Sequence, residues 1–160
     1  MSVLKLIATK IKTWFPAPVV HAHCDGPCGV YDPASARIAA EAVLSMTKKI
    51  LALELPAAGD AEAKAAYANT MSRYIKIKEE QAHLAKQELL TLWTDYFKPV
   101  HLEQFPDLHT KFWNVAKLCS ACKVEVSLQH ANELMDAIKE IQEMFWATKG
   151  RTDVPWYTAS

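Results

Sequence analysis

Apolar residues recur at helical spacing through most of this chain, and no stretch alternates apolar and polar residues as a half-buried strand does. The first helical pattern starts at Asp32, which can cap a helix that has Pro33 at its first position, and it runs up to Pro56. The second starts at a cap on Asp60 and continues to Phe97. The stripe of the first helix is Ile38, Val43, Met46 and Ile50, and that of the second is Tyr67, Met71, Tyr74, Gln81, Ala85, Leu89, Leu92 and Tyr96.

Two further helices follow in the pattern. Pro99 ends the second helix, and Phe105-Pro106 opens a third that extends to about Cys122. Ser127 can cap a fourth. Four helices with short links and no strand pattern predict an all-α fold, an antiparallel up-down four-helix bundle. The fourth helix presents on one face Leu128, Ala131, Leu134, Ile138, Ile141 and Phe145.

The length and the charge balance limit the class of protein. At 160 residues, about half of them apolar, the chain can bury one core without disulfides. Its 18 basic and 18 acidic side chains cancel, and without residues 1–22 the balance is 15 against 18, which argues against nucleic-acid binding. No apolar run of about 18 residues predicts a membrane span, and residues 1–22 lack the unbroken apolar region of a secretory signal. We therefore expect a cytoplasmic protein.

One short run concentrates metal-binding chemistry. Residues 23–31 read HCDGPCGVY, which places two thiols and an imidazole around a tight turn. The proline-rich residues 16–20 should be extended, which exposes the Ala22-His23 bond to proteolysis. We predict a leader of residues 1–22 that is removed on maturation, leaving the hook (residues 23–31) and the four-helix bundle within residues 23–160. The alternative is that residues 1–22 are a disordered tail.

Cleavage before His23 would create a dense set of donors for one metal ion. The new terminus would offer an amine, the imidazole and the amide nitrogen of Cys24, and Cys24 and Cys28 would add two sulfurs. Nitrogens and thiolates together suit a borderline-soft divalent metal. A planar set of these donors suits nickel or copper better than zinc, which prefers a tetrahedron.

The hook and two later segments resemble one known family. The hook is similar to the amino-terminal hook of the nickel superoxide dismutases, whose pattern is H-C-D-x-P-C-G-V-Y. Residues 92–99, LWTDYFKP, resemble that family's L-W-S-D-Y-F-K-P, and residues 145–149, FWATK, resemble its closing F-W-E-T-K. The resemblance extends from about His23 to Lys149.

The resemblance implies an oxidoreductase that converts two superoxide anions and two protons to dioxygen and hydrogen peroxide by Ni(III)/Ni(II) cycling. It implies one nickel ion per chain, held by the amine and imidazole of His23, the amide and sulfur of Cys24, and the sulfur of Cys28. It also implies a homo-oligomer, which is a hexamer in this family, and a maturation protease that cuts the Ala22-His23 bond.

Four further residues receive roles from the same resemblance. Tyr31 and Tyr96 would cover the approach to the open face of the metal, and Asp25 would help to hold the hook. Lys98 would attract the superoxide anion. From the pattern alone, Tyr96 is typical of a helix core position and Lys98 of a solvated charge at a helix end.

The sequence departs from the family at one pair of positions. Many members have a Glu in the first helix and an Arg in the second that orient the axial imidazole. Here these positions are Ala39 and Gln81, which look like the substitution of a pair. Gln81 could donate a neutral hydrogen bond to the imidazole instead, and Glu80 or His83 could lie nearby.

Two other cysteines have no role in the resemblance. Cys119 and Cys122 lie three residues apart on the predicted third helix, where free thiols are typical core residues. The alternative is a zinc site formed with Cys24 and Cys28. The histidines that lack ligand spacing on one helix turn are expected at the surface or in the core: His101, His109 and His130.

Two functions other than the enzyme stay open from the sequence. In the first, the protein is a metal-binding or delivery module whose hook stores nickel, copper or zinc without turnover. In the second, it is a helical interaction protein whose cysteines are incidental. Metal content and a dismutase assay separate the first from the enzyme, and mutation of the hook tests the second.

Overall fold

The computed structural model describes residues 29–159, and these residues form helices joined by short connections, with no strand among them. Each helix packs against its neighbours in the chain, and the first helix also packs against the fourth, which closes the bundle. The predicted all-helical bundle is therefore confirmed. The four α-helices are α1 (Ala34–Leu51), α2 (Ala61–Thr91), α3 (Leu108–Val124) and α4 (Leu128–Thr148).

Three of the helices begin where a capping side chain was predicted. The Asp32 carboxylate accepts a hydrogen bond from the backbone N–H of Ala34 at 2.8 Å, with Pro33 between them. Asp60 accepts from Ala63 N–H at 2.9 Å in the same way. At the start of α4, Ser127 Oγ accepts a hydrogen bond from the backbone N–H of His130 at 3.2 Å. Each cap satisfies a helix N–H that has no partner within the helix.

The end of α2 departs from regular α-helical geometry. The chain continues from α2 through a π-helical turn, Leu92–Tyr96, in which the Phe97 N–H donates to the Leu92 carbonyl at 3.1 Å. Phe97 is extended, and a short 3-10 turn, Pro99–Leu102, follows it. Such π-turns are often found at functional sites, and this one contains Tyr96, which the sequence placed in the site.

The buried face of α1 consists of smaller side chains than the sequence predicted. Val43 and Ile50 are buried, but Ile38 is 57% exposed, so its predicted core position is wrong. The helix also ends five residues before Pro56, and Leu55 beyond it is exposed. Besides the buried polar residues Glu41 and Thr47, the rest of the buried face consists of small residues that let the neighbouring helices approach closely: Ala36, Ala39 and Ala40.

A buried lysine closes the end of α3. Lys78 on α2 is 2% exposed, and its ammonium donates hydrogen bonds to the carbonyls of Cys122, Lys123 and Glu125. The last two bonds measure 2.9 and 3.1 Å. Carbonyls at a helix C-terminus have no partner within the helix and carry partial negative charge, so the ammonium satisfies them.

The segment after α4 turns back along the bundle. The backbone N–H of Gly150, a residue with φ 69°, donates to the Ala147 carbonyl, and the N–H of Arg151 donates to the Trp146 carbonyl at 2.9 Å. These two bonds end the helix in a Schellman motif. We call residues 151–159 the C-terminal strap. It reaches α1, where Arg37 donates to the Tyr157 carbonyl at 2.7 Å.

A second contact holds the far end of the strap. Glu41 accepts a hydrogen bond from the backbone N–H of Ala159 and lies 3.6 Å from Arg37. The Arg37 guanidinium also lies 5.8 Å from the centre of the Trp156 ring. The strap thus fastens the C-terminal end of the described chain to the helix that follows the hook. No helix within residues 29–159 is long and apolar enough to cross a membrane.

Candidate metal centre

The described chain begins directly after the hook's last predicted ligand. Gly29 follows Cys28 and has φ 63°, a left-handed conformation that glycine adopts without steric cost. Val30 is exposed, and Tyr31 then packs against the hydrophobic core. Asp32 caps α1 one residue later. The hook is therefore joined to the bundle by only a few residues, at the start of α1.

A small cleft lies at this junction. It has a volume of about 170 Å³ and lies between the start of α1 and the end of α2. Glu88 is the acidic residue that α2 contributes, and it is half-buried. Because the chain enters from Val30, the cleft is the part of the bundle closest in sequence to the hook. Its lining residues are Val30, Tyr31, Asp32, Ser35, Glu88, Thr91 and Leu92.

The structure brings the two predicted tyrosines together. The rings of Tyr31 and Tyr96 have centroids 5.6 Å apart and planes tilted by 54°. Tyr96 also packs against Phe145 at 4.5 Å and edge-on against Phe97 at 5.1 Å. Both rings are half-buried, so Tyr96 is neither a plain core residue nor a surface residue.

The hydroxyl of Tyr96 is held by α4. It lies 2.6 Å from Thr148 Oγ1. Lys149 follows, with its ammonium 5.2 Å from the centre of the Tyr96 ring and 5.0 Å from that of Phe145. No pattern in the sequence indicates a role for Thr148 or Lys149, although both belong to the FWATK segment that resembles the family's closing segment.

Lys98 lies two residues beyond Tyr96, at the edge of the same region. Its side chain is exposed, and its backbone N–H donates to His101 Nδ1 at 3.1 Å. The imidazole of His101 stacks on the Tyr96 ring at 5.8 Å. Lys98 therefore faces solvent near the tyrosine pair, while Lys149 is the cation in contact with Tyr96.

The predicted metal ligands lie outside the residues that the structure describes. This applies to His23, Cys24 and Cys28, and also to Asp25. Within residues 29–159, no three His, Cys, Asp or Glu side chains come together as a metal site. The donors in the hook, two thiols with an imidazole and backbone nitrogen, fit nickel chemically, because strong thiolate and nitrogen donors suit a late divalent metal.

The positions where the sequence departs from the family lie inside the bundle. Ala39 is buried between helices, and Gln81 is half-buried on α2. Glu41 does not replace a glutamate at 39, because residues two apart on a helix point about 200° apart and Glu41 holds the strap. The suggested substitutes Glu80 and His83 are exposed, and neither points into the bundle.

A different acid lies on the face of α2 that carries Gln81. Glu88 lies seven residues after Gln81, and residues seven apart share a face of a helix. It is about 10 Å further along the helix axis, toward Tyr31. It is the carboxylate of α2 that lines the cleft beside the hook junction. Nothing in the sequence pattern singles it out, since its importance comes from the packing of α1 against α2.

The remaining cysteine pair is a core feature. Cys119 and Cys122 are free and buried. Burial raises the pKa of the Cys119 thiol to about 12 and that of Cys122 to about 11. Without a metal, thiols with such values stay protonated at neutral pH and are poor nucleophiles, as is typical of core cysteines. The alternative zinc site includes Cys24 and Cys28, which lie outside the described residues.

The histidines that the sequence left without a ligand role contact aromatic rings or lie beside a carboxylate in the structure. Trp93 Nε1–H donates to His109 Nδ1 at 2.8 Å. His130 Nδ1 lies 3.3 Å from a carboxylate oxygen of Glu125. Each of these histidines is partly or largely exposed.

Comparisons with known proteins identify the family of the chain. A sequence model of the family described as nickel-containing superoxide dismutase matches residues 18–149. The nickel superoxide dismutase of Streptomyces seoulensis is 41% identical over 145 residues, 91% of this chain and 96% of the relative. That of Streptomyces coelicolor is 40% identical over 134 residues, 84% of this chain and 93% of the relative.

Solved structures give the same result for the fold. Native nickel superoxide dismutase superimposes with a TM-score of 0.69 at 39% identity, over 79% of this chain and 99% of the other. A structure with nickel ligation of the oxidised state gives a TM-score of 0.69 at 41% identity, over 81% of this chain and all of the other. The strap lies beyond the family match, which ends at residue 149.

The bundle and its relatives define the class of protein, a redox metalloenzyme. The chain belongs to the nickel-containing superoxide dismutase family. The predicted family, enzyme class and nickel cofactor are thereby confirmed. The roles of individual residues and the cleavage of residues 1–22 stay predictions.

Proposed function

We propose that this chain, after cleavage before His23, dismutates superoxide with one nickel ion held by the hook. The ligands would be the amine and imidazole of His23, the amide and sulfur of Cys24 and the sulfur of Cys28. Two superoxide anions and two protons would give dioxygen and hydrogen peroxide. One observation carries the proposal: the chain passes from the donor run directly into the contact between Tyr31 and Tyr96.

Nickel, when bound, supplies the one-electron chemistry, because it can alternate between Ni(II) and Ni(III). The thiolates of Cys24 and Cys28 would supply the electron density that makes the trivalent state accessible, which water ligands would not supply. Among the described residues, Tyr31 and Tyr96 would restrict access from solvent with their rings. Asp25 in the hook would help to hold the turn between the two thiolates.

The charges near the tyrosine pair support an anionic substrate. The chain without residues 1–22 has a net charge of about −3, so it offers no attractive field overall. Lys149 lies at the Tyr96 ring and Lys98 is exposed two residues from it. Two cations at one region can raise the local concentration of superoxide where the overall charge would lower it.

The test is a combined mass, metal and activity measurement on protein purified from its native cells. We expect an intact mass that begins at His23, one nickel ion per chain, and dismutase activity. Cys24→Ser or Cys28→Ser should lose nickel and activity together. The matched control Cys119→Ala/Cys122→Ala removes two thiols from the core and should keep both.

Three results would count against the proposal. Active protein that still begins upstream of His23 would exclude the terminal amine as a ligand. Zinc in place of nickel, or bound nickel with superoxide decaying at its spontaneous rate, would favour the storage or delivery module. The hexamer and the cytoplasmic location stay predictions, and native mass spectrometry and cell fractionation test them directly.

A further inference from the structure

Two short hydrogen bonds meet at the hydroxyl of Thr148. Its Oγ1 lies 2.6 Å from the carbonyl oxygen of Phe145, one turn back on α4. The same atom lies 2.6 Å from the hydroxyl oxygen of Tyr96, 52 residues away in the chain. Both distances are at the short end for hydrogen bonds between oxygens, so a proton must lie between the two oxygens of each pair.

The chemistry of the three oxygens decides which group donates. A carbonyl oxygen can only accept, and a threonine hydroxyl has a single proton. The Thr148 proton must therefore lie on the bond to Phe145. The remaining bond can form only if Tyr96 donates its own proton to Thr148 Oγ1. The Tyr96 oxygen then has lone pairs, and no proton, to offer on its other side.

We propose that Thr148 is a positioning residue that fixes the polarity of the Tyr96 hydroxyl, so that Tyr96 only accepts hydrogen bonds at the approach to the metal. This inference rests on the proposed function. An acceptor does not bind the superoxide anion, which has no proton to donate. It does bind protonated species, namely water and the product hydrogen peroxide.

A cation beside the Tyr96 ring can attract the anionic substrate in place of the hydroxyl. The Lys149 ammonium lies over the rings of Tyr96 and Phe145, at 5.2 and 5.0 Å from their centres. A cation at this distance attracts an anion without needing a hydrogen bond from Tyr96. The anion is thus drawn to the region by charge, while the hydroxyl favours the neutral product.

The rate at which the Tyr96 hydroxyl proton exchanges with water tests the direction of its bond to Thr148. This measurement needs no nickel. With tyrosine labelled at ¹³Cζ in nickel-free protein, Tyr96→Phe identifies the Tyr96 signal. We expect the Tyr96 hydroxyl to exchange at least about tenfold more slowly than that of Tyr157, which is 65% exposed. Thr148→Val should abolish the difference, and Thr148→Ser should keep it. Fast exchange of Tyr96 in the unmodified protein would overturn the proposal.

The affinity of nickel-loaded protein for azide, a small anion, tests whether the Tyr96 hydroxyl can donate a hydrogen bond at the site. Thr148→Val frees the Tyr96 proton to donate to an anion, so azide should bind about tenfold more tightly, the effect of one hydrogen bond to a charged acceptor. Thr148→Ser is the matched control and should bind azide like the unmodified protein. An unchanged azide affinity in Thr148→Val would overturn the inferred role of the hydroxyl at the approach.

The two measurements also separate this inference from the proposed function. If the protein binds nickel but shows no dismutase activity, the proposed function fails while slow exchange of the Tyr96 hydroxyl still establishes the direction of its bond. If the enzyme is active and the hydroxyl exchanges fast, the function stands and the role of Thr148 is wrong.

Discussion

The ring of Tyr31 lies 5.6 Å from the ring of Tyr96, with the two planes tilted by 54°. Tyr31 is the third residue after Cys28, and Tyr96 ends the π-helical turn that follows α2. This contact joins the hook junction to the core, because Tyr96 packs in turn on Phe145 of α4.

We expect the two rings to stabilise each other measurably. A tilted aromatic pair contributes about 0.5–1.5 kcal/mol beyond its buried area. A double-mutant cycle of Tyr31→Leu and Tyr96→Leu, measured by chemical denaturation, should give a coupling energy in that range. Tyr31→Phe and Tyr96→Phe keep both rings and should keep the coupling. Additive leucine variants would mean that the contact does not stabilise the junction.

The C-terminal strap should stabilise the bundle through Arg37. Deleting residues 152–160 removes the Trp156 packing and the hydrogen bonds to α1, which should lower the free energy of unfolding by about 1–2 kcal/mol. Arg37→Ala in the full chain should have part of this effect. In the truncated chain the same substitution should cost little, because its partners in the strap are gone.

The matched control for the strap is Arg73→Ala, which removes an exposed arginine from α2. It should change the free energy of unfolding by less than about 0.5 kcal/mol. If Arg37→Ala costs as much in the truncated chain as in the full chain, the arginine stabilises α1 without help from the strap.

Replacing Lys78 should destabilise the protein strongly. Lys78→Met fills similar space but leaves three carbonyls at the end of α3 without their donor, which should cost about 1–3 kcal/mol. Lys76→Met is the matched control, because Lys76 is exposed and forms only a surface pair with Glu80 at 3.6 Å. Equal effects of the two substitutions in urea denaturation would contradict this role.

The buried thiols should make the fold sensitive to alkaline pH. The folded chain holds the pKa of Cys119 at about 12 and that of Cys122 at about 11, above the ordinary value of 9.0, because both are desolvated. Above about pH 9 the unfolded chain releases these protons while the folded chain retains them. The free energy of unfolding should therefore fall as pH rises from 9 to about 12.

This pH effect is measured in a Cys24→Ser/Cys28→Ser background, so that only the core thiols remain. Lys78 acts in the opposite direction, since burial lowers its pKa and deprotonation relieves the cost of burying its charge. The thiol contribution is therefore the difference from Cys119→Ala/Cys122→Ala in the same buffers. If both proteins lose stability in parallel above pH 9, the cysteines are not responsible.

Much of the helical framework could be predicted because its signals are local. Asp32, Asp60 and Ser127 each satisfy an N–H within three residues, so their capping roles are visible in the sequence. The exposure of Ile38 was not predictable in the same way. Helical spacing shows that α1 has an apolar side, but the packing of its neighbours against Ala36, Ala39 and Ala40 decides which residues are covered.

In the candidate site too, local motifs could be predicted from the sequence and contacts between distant residues could not. The hook donors and the pattern around Tyr96 are short motifs, and they were sufficient to indicate nickel and the family. The roles of Thr148 and Glu88 could not be inferred from spacing. Thr148 meets Tyr96 across 52 residues, and Glu88 lines the cleft only because the end of α2 lies beside the start of α1.

The sequence by itself determined the four helices, the caps of three of them and the chemistry of the metal donors, because each depends on residues a few positions apart. Only the tertiary structure decided the direction of the Tyr96 hydrogen bond, the cation beside its ring and the path of the C-terminal strap. These features join segments that are distant in the chain. Their geometry is set by how the helices pack against one another, and local pattern carries no information about that packing.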